Sequence, residues 1–189
     1  VACRKAVFDQ VFNRMDRAVV HGSTFSKNNL AMAAALATLE VIETEKLVER
    51  SAQMGAQLLA DLQPLVGQYE CLKAVRGRGM MLALEFSEPQ SWSLKLSWKM
   101  LEAANRGLFS QLITVPLFQR HRILSQVAGH GMNVVKFIPP LILNEDDRHW
   151  IIEAVTDVVA DAHRAGAVWD FGKSLATQAI RMKTGSGNS

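Results

Sequence analysis

The sequence predicts an α+β fold: a small antiparallel sheet covered by helices, with a long buried helix near the N-terminus. Three observations predict it. Leu30-Ala31-Met32-Ala33-Ala34-Ala35-Leu36-Ala37-Thr38-Leu39 is apolar on nearly every face of a helix, the pattern of an element buried all round. Two short apolar runs, residues 71–75 and 80–86, flank Arg76-Gly77-Arg78-Gly79. A glycine pair there supplies the positive φ of a tight reversal, so the two runs form an antiparallel hairpin. Asn144-Glu145-Asp146-Asp147 then opens a long striped segment, with negative charge at the positive end of the helix. Helices alternating with short antiparallel strands make one sheet with helices layered on one face.

Taken in order, Val7, Phe8, Val11 and Phe12 share one face of a short opening helix. The first long helix spans residues 29–43. Ser26, Asn28 or Asn29 caps it, because a short polar side chain satisfies free N–H groups of the first turn. After a kink at Thr44-Glu45, a second helix spans residues 46–65. Leu47, Ser51, Met54, Leu58 and Leu62 recur there at spacings of three and four, and Pro64 and Gly67 close it. Residues 91–106 form a helix striped by Trp92, Leu96, Met100 and Ala103 or Ala104 and stopped by Gly107, with Trp98 off the stripe and facing a partner. Residues 108–115 read as a strand ended by Pro116, and residues 117–127 allow a short helix. Residues 133–137 are a further strand, followed by Pro139-Pro140. The last helix buries Trp150, Ile151, Ala154, Val155, Val158, Val159 and Ala162, and Gly166 stops it. Periodicity lapses from Lys173, and residues 173–189 read as a disordered tail.

Composition removes several classes of function. A net charge of +3 is too small and scattered for nucleic acid, and Arg120-His121-Arg122 has no aromatic stacking platform. No apolar run reaches the roughly 18 residues that a membrane span needs. Cys3 and Cys71 support neither a disulfide framework nor a metal cluster, so reduced thiols in the cytoplasm are the expectation. The five histidines show no ligand spacing, so no metal is expected. The opening Val1-Ala2-Cys3-Arg4 carries no starting signal, which suggests a piece of a longer polypeptide.

The stretch His21-Gly22-Ser23-Thr24-Phe25-Ser26-Lys27-Asn28-Asn29 precedes the first long helix. Two readings stand for it: a capped core helix after a polar loop, or a helix start whose free N–H donors hold an anion such as a phosphate. The turn arginines Arg76 and Arg78 likewise are either solvated or bind an anion. H-G-S-T-F before an alanine-rich helix, Val75-Arg76-Gly77-Arg78-Gly79-Met80, and Phe137-Ile138-Pro139-Pro140-Leu141 before an acidic helix start together resemble the C-terminal part of class III aminotransferases. These are fold type I enzymes that use pyridoxal 5'-phosphate (PLP). Their usual T-F-G-G-N-P is here Thr24-Phe25-Ser26-Lys27-Asn28-Asn29, without the glycine pair and the proline.

The resemblance implies that residues 1–28 are a remnant of the large cofactor-binding domain with its phosphate-contact loop, and residues 29–172 the C-terminal small domain. It implies a homodimer in which Thr24, with Ser23 the weaker candidate, contacts the PLP phosphate of the neighbouring subunit. It places the Schiff-base lysine upstream, so no catalytic residue lies in this chain, Lys27 included, and the chain alone is inactive. Lys136 stands where members using glutamate or 2-oxoglutarate often carry an arginine that grips a substrate carboxylate; the alternative is a strand lysine with its amine in water. Residues 117–131 look like an insertion relative to the family. The rival to a transaminase is a non-catalytic α+β dimerisation or interaction module. Substrates implied are a small-molecule amino donor and oxo acceptor.

Overall fold

A computed structural model describes residues 3–17, 22, 24–25 and 28–164, with Ala104 described for its backbone alone. The expected stop at Gly166 and the tail at residues 173–189 lie outside the described residues. The chain divides into two compact units, Val1–Lys46 and Leu47–Ser189. The expectation from sequence divides it at residue 28, grouping the first long helix with the sheet and the later helices.

The first unit holds α1 (Lys5–Val11), a 3-10 turn at Met15–Arg17 and α2 (Asn29–Thr44). Phe8 and Phe12 stack at 4.6 Å between ring centroids, but Val7, Phe8 and Val11 stay exposed. Asn28, one of the candidate caps, accepts from the Ala31 N–H at 3.1 Å with its side chain, and Ser26 lies outside the described residues. The expectation that α2 is buried on nearly every face is wrong for this chain. None of its residues is buried, and Leu30, Leu36 and Leu39 are 80%, 68% and 57% exposed. An apolar circumference records affinity for apolar surface, yet burial needs that surface to be present.

The second unit begins where Lys46, at φ 50°, breaks the helix at the expected kink. The second helix is shorter than expected: α3 (Leu47–Leu62) and a one-turn α4 (Pro64–Gln68) replace a single helix over residues 46–65. Leu47, Met54, Gly55, Leu58 and Leu62 form the buried face of α3. The hairpin forms as expected, with β1 (Leu72–Arg78) and β2 (Met81–Phe86) joined by Gly79 and Met80. Gly79 takes φ +55°, the left-handed backbone this loop needs, and the arginines fall on the strand rather than in the turn. The hairpin loop rests directly on α3. A Cβ at Gly55 would stand 2.0 Å from the Gly79 carbonyl oxygen, and the Met80 N–H donates to Ser51 Oγ at 3.2 Å.

Beyond the hairpin come α5 (Trp92–Ala104), a 3-10 turn at Leu108–Ser110, α6 (Gln111–His121), β3 (Gln126–Val127), β4 (Val134–Phe137) and α7 (Glu145–Ala162). The four strands pair antiparallel in the order β1-β2-β4-β3. One face of the sheet enters the core through Leu72, Val75, Leu82, Leu84, Phe86, Val135 and Phe137. Lys73, Arg76, Met81, Ala83, Glu85, Val134 and Lys136 occupy the opposite face, and none of them is buried. On α7, Ile151, Ala154, Val155, Val158, Val159 and Ala162 are buried, and Asn144 closes a reciprocal cap with Asp147.

Three further expectations are corrected. On α5 the stripe is exposed (Trp92 79%, Leu96 48%, Met100 47%), while Trp98 and Leu101 are buried. The helix carries two competing apolar rows, and the winner stacks Trp98 on Phe109 at 4.5 Å, with Phe86 behind at 5.3 Å. Residues 108–115 are helical, not a strand. The β-branched run Ile113-Thr114-Val115 favours a strand, but burial of Leu112, Ile113 and Leu117 overrides propensity, and Pro116 sits inside α6. Trp150 is 45% exposed, because it lies at the edge of the stripe that Ile151 starts. The segment read as an insertion holds the end of α6, the left-handed Arg122 (φ 58°) and the edge strand β3.

Candidate functional site

Two separate features carry candidate chemistry, one in each unit. In the first unit Thr24 and Phe25 form a turn ahead of the Asn28 cap, and both are exposed. Thr24 stands four residues before Asn28, whose side chain accepts from one donor of the α2 first turn among the described residues. A hydroxyl donor and free helix N–H groups are both chemistry that suits an anion oxygen. Ser23 and Lys27 lie outside the described residues.

In the second unit the feature is the uncovered face of the sheet. Strand alternation decides it: Val135 and Phe137 of β4 face the core, so Lys136 between them faces away. Pairing then sets its neighbours. Ala83 of β2 lies opposite both Arg76 of β1 and Lys136 of β4, and Gln126 of β3 lies opposite Lys136. Arg76, Ala83, Lys136 and Gln126 thus form one row across all four strands. A hollow of about 420 Å³ opens over this row, lined among others by Arg76, Met81, Ala83, Lys136 and Ile138.

The electrostatics of this face are uneven. Lys73 Nζ meets Glu85 Oε1 at 2.6 Å, and Arg76 Nε meets Glu85 Oε2 at 3.3 Å. Hydrogen bonding from Lys73, ahead of the weaker contribution of Arg76, holds the Glu85 carboxyl below its usual range. Among the described residues Lys136 has no ion-pair partner, and the two terminal nitrogens of Arg76 have no hydrogen bond. Among the described residues no group of His, Cys, Asp and Glu has the arrangement of a metal site, and no helix is long and apolar enough to cross a membrane.

Sequence reasoning singled out Lys136 and weighed Arg76 as a turn residue, but did not place the two in one row. The signal lay in hairpin register: with Gly79-Met80 as the loop, counting back pairs Arg76 with Ala83.

Comparison with known proteins agrees with the fold and the motifs. The family model described as aminotransferase class-III matches residues 1–159. The chain is 33% identical over 140 residues to an ornithine aminotransferase of Bacillus cereus, covering 74% of this chain and 29% of that protein. It is also 33% identical over 142 residues to a diaminobutyrate–2-oxoglutarate aminotransferase of Rhizobium meliloti, covering 75% and 28%. Among solved structures it is similar to a PLP-bound amine transaminase from an uncultivated Pseudomonas species, with a TM-score of 0.65 and 30% identity, over 84% of this chain and 34% of that one. This chain belongs to the class III aminotransferase family. It spans about 29% of the length of the first curated relative, so it corresponds to part of such an enzyme.

Proposed function

We propose that this chain is the C-terminal portion of a PLP-dependent class III transaminase, which moves an amino group from a small-molecule donor to an oxo acceptor. The parent enzyme is read as a cytoplasmic homodimer, with Thr24 of one subunit reaching the PLP phosphate in the other. The observation that carries the reading is the placement of Lys136: the family motif puts a substrate-gripping residue at this position, and here it lines an open hollow rather than the core.

The donor set around Thr24 fits a phosphate. Its hydroxyl can donate one hydrogen bond, and the α2 N-terminus that follows along the chain carries partial positive charge. When bound, the cofactor supplies the electron sink for the reaction. This chain contributes binding and orientation. None of its described lysines is buried, whereas a lysine that attacks a carbonyl must be deprotonated by burial or by neighbouring charge.

Lys136 supplies a compact point charge where an arginine would offer a planar fork. Its grip on a dicarboxylate is accordingly looser, which favours a donor or acceptor bulkier than the usual small dicarboxylate pair. The test is a steady-state screen of the intact enzyme carrying Lys136→Arg or Lys136→Ala. Lys136→Arg lowers KM for dicarboxylates, and Lys136→Ala raises KM for every carboxylate substrate. Unaltered kinetics for both variants on all substrates remove Lys136 from the site.

A further inference from the structure

The hollow on the open sheet face has a cation at each side and an apolar floor. Strands lie about 4.8 Å apart, so Arg76 and Lys136, two strands apart on either side of Ala83, have Cα atoms about 10 Å from each other. Both side chains stand on the same face, and the small Ala83 between them leaves the space above the row open. Met81 and Ile138, 64% and 63% exposed, add apolar wall. Glu85 on the same face is claimed chiefly by Lys73 and, among the described residues, touches Arg76 through Nε alone. The fork of Arg76 therefore stays available to bind in two hydrogen bonds, with the Lys136 ammonium facing it across the alanine.

We propose that Arg76 is a second substrate-binding residue, holding a carboxylate jointly with Lys136, and that the hollow takes a carboxylate with an apolar stem laid over Met81, Ala83 and Ile138. This deepens the transaminase reading and rests on it for Lys136 meeting substrate; Arg76 and the apolar stem follow from the sheet register and the lining of the hollow. A cation pair fixes the head group, while an apolar floor gives a second carboxylate nothing to bind and costs its desolvation. The site thus selects aliphatic monocarboxylates over dicarboxylates of similar length.

The test uses the 189-residue chain itself, followed by amide chemical-shift titration with hexanoate, hexan-1-ol and glutarate. Hexanoate is expected to move the amides of Gly77, Ala83 and Lys136, and to bind more tightly than either hexan-1-ol or glutarate. Arg76→Gln and Lys136→Gln are each expected to weaken hexanoate about three- to fivefold, as solvent-accessible charge contacts do, and Arg76→Lys to recover part of the loss. Arg76 lies on the exposed face, so these variants leave the core intact, which an unchanged amide spectrum elsewhere verifies. Weakening by Lys136→Gln with no effect of Arg76→Gln overturns the assignment of Arg76 and leaves the transaminase reading standing. No effect of either variant removes both residues. Hexan-1-ol matching hexanoate overturns the cation pair, glutarate binding more tightly than hexanoate overturns the apolar stem, and no binding of hexanoate overturns the site.

Discussion

Helices α2 and α7 are both long and rich in apolar residues, yet their fates differ completely. On α7 six residues are buried along one stripe, and its polar residues face outward. On α2, alanine, leucine, methionine and valine surround the axis, and no residue is buried. The difference teaches what hydrophobic patterning measures. A one-sided stripe says which face meets the core that the same segment helps to build. An all-round apolar surface says only that the helix needs cover from several directions. The second unit, which has its own sheet and several helices, supplies cover for its own stripes; the first unit has only a seven-residue helix and a 3-10 turn beside α2 among the described residues.

Paired leucine truncations sharpen this contrast most. Leu58 of α3 is fully buried, so Leu58→Ala is expected to cost about 2–5 kcal/mol in urea unfolding. Leu36→Ala on α2 is expected to change the stability of this chain by less than about 0.5 kcal/mol. Equal losses at the two sites would show that α2 is packed in the chain after all. A smaller effect probes how tightly the second unit is built. Gly55→Ala places a methyl against the Gly79 carbonyl and is expected to cost about 1–3 kcal/mol as the hairpin loop is pushed from α3. A neutral Gly55→Ala would mean that the close approach is absent.

The smallest effect concerns the open face of the sheet. Hydrogen bonding from Lys73 lowers the Glu85 pKa in the folded state. A depressed carboxyl contributes stability above its unfolded value of about 4.3, and that contribution is lost as pH falls through the lower folded value. Lys73→Met is therefore expected to flatten the fall in thermal midpoint below about pH 4.3 and to change little below the folded value. An identical acid slope in both proteins would dissociate Lys73 from Glu85.

Much of the second unit was legible because its signals are local. A glycine at positive φ between two apolar runs makes the hairpin, and an asparagine with an aspartate three residues on starts α7. Other features depend on competition between elements. The two apolar rows of α5 are equal as sequence, and only the stack of Phe109 on Trp98 decides between them. The helix α6 runs through a β-branched stretch and a proline, so local propensity points the wrong way and packing wins. At the candidate site, the motif sufficed to single out Thr24 and Lys136. The pairing of Lys136 with Arg76 was hidden, since 60 positions of chain separate them and only strand register brings them into one row.

The central claim is that this chain completes the cofactor and substrate sites of a class III transaminase, and Thr24 tests it most directly. Thr24→Val keeps the shape of the side chain and removes the hydroxyl. In the intact enzyme, loss of one hydrogen bond to a charged phosphate is expected to weaken PLP binding by roughly ten- to a hundredfold. The measurement is the PLP dissociation constant of wild type and variant, read by cofactor absorbance after dialysis against graded PLP. A drop within that range supports the assigned role; an unchanged affinity contradicts it.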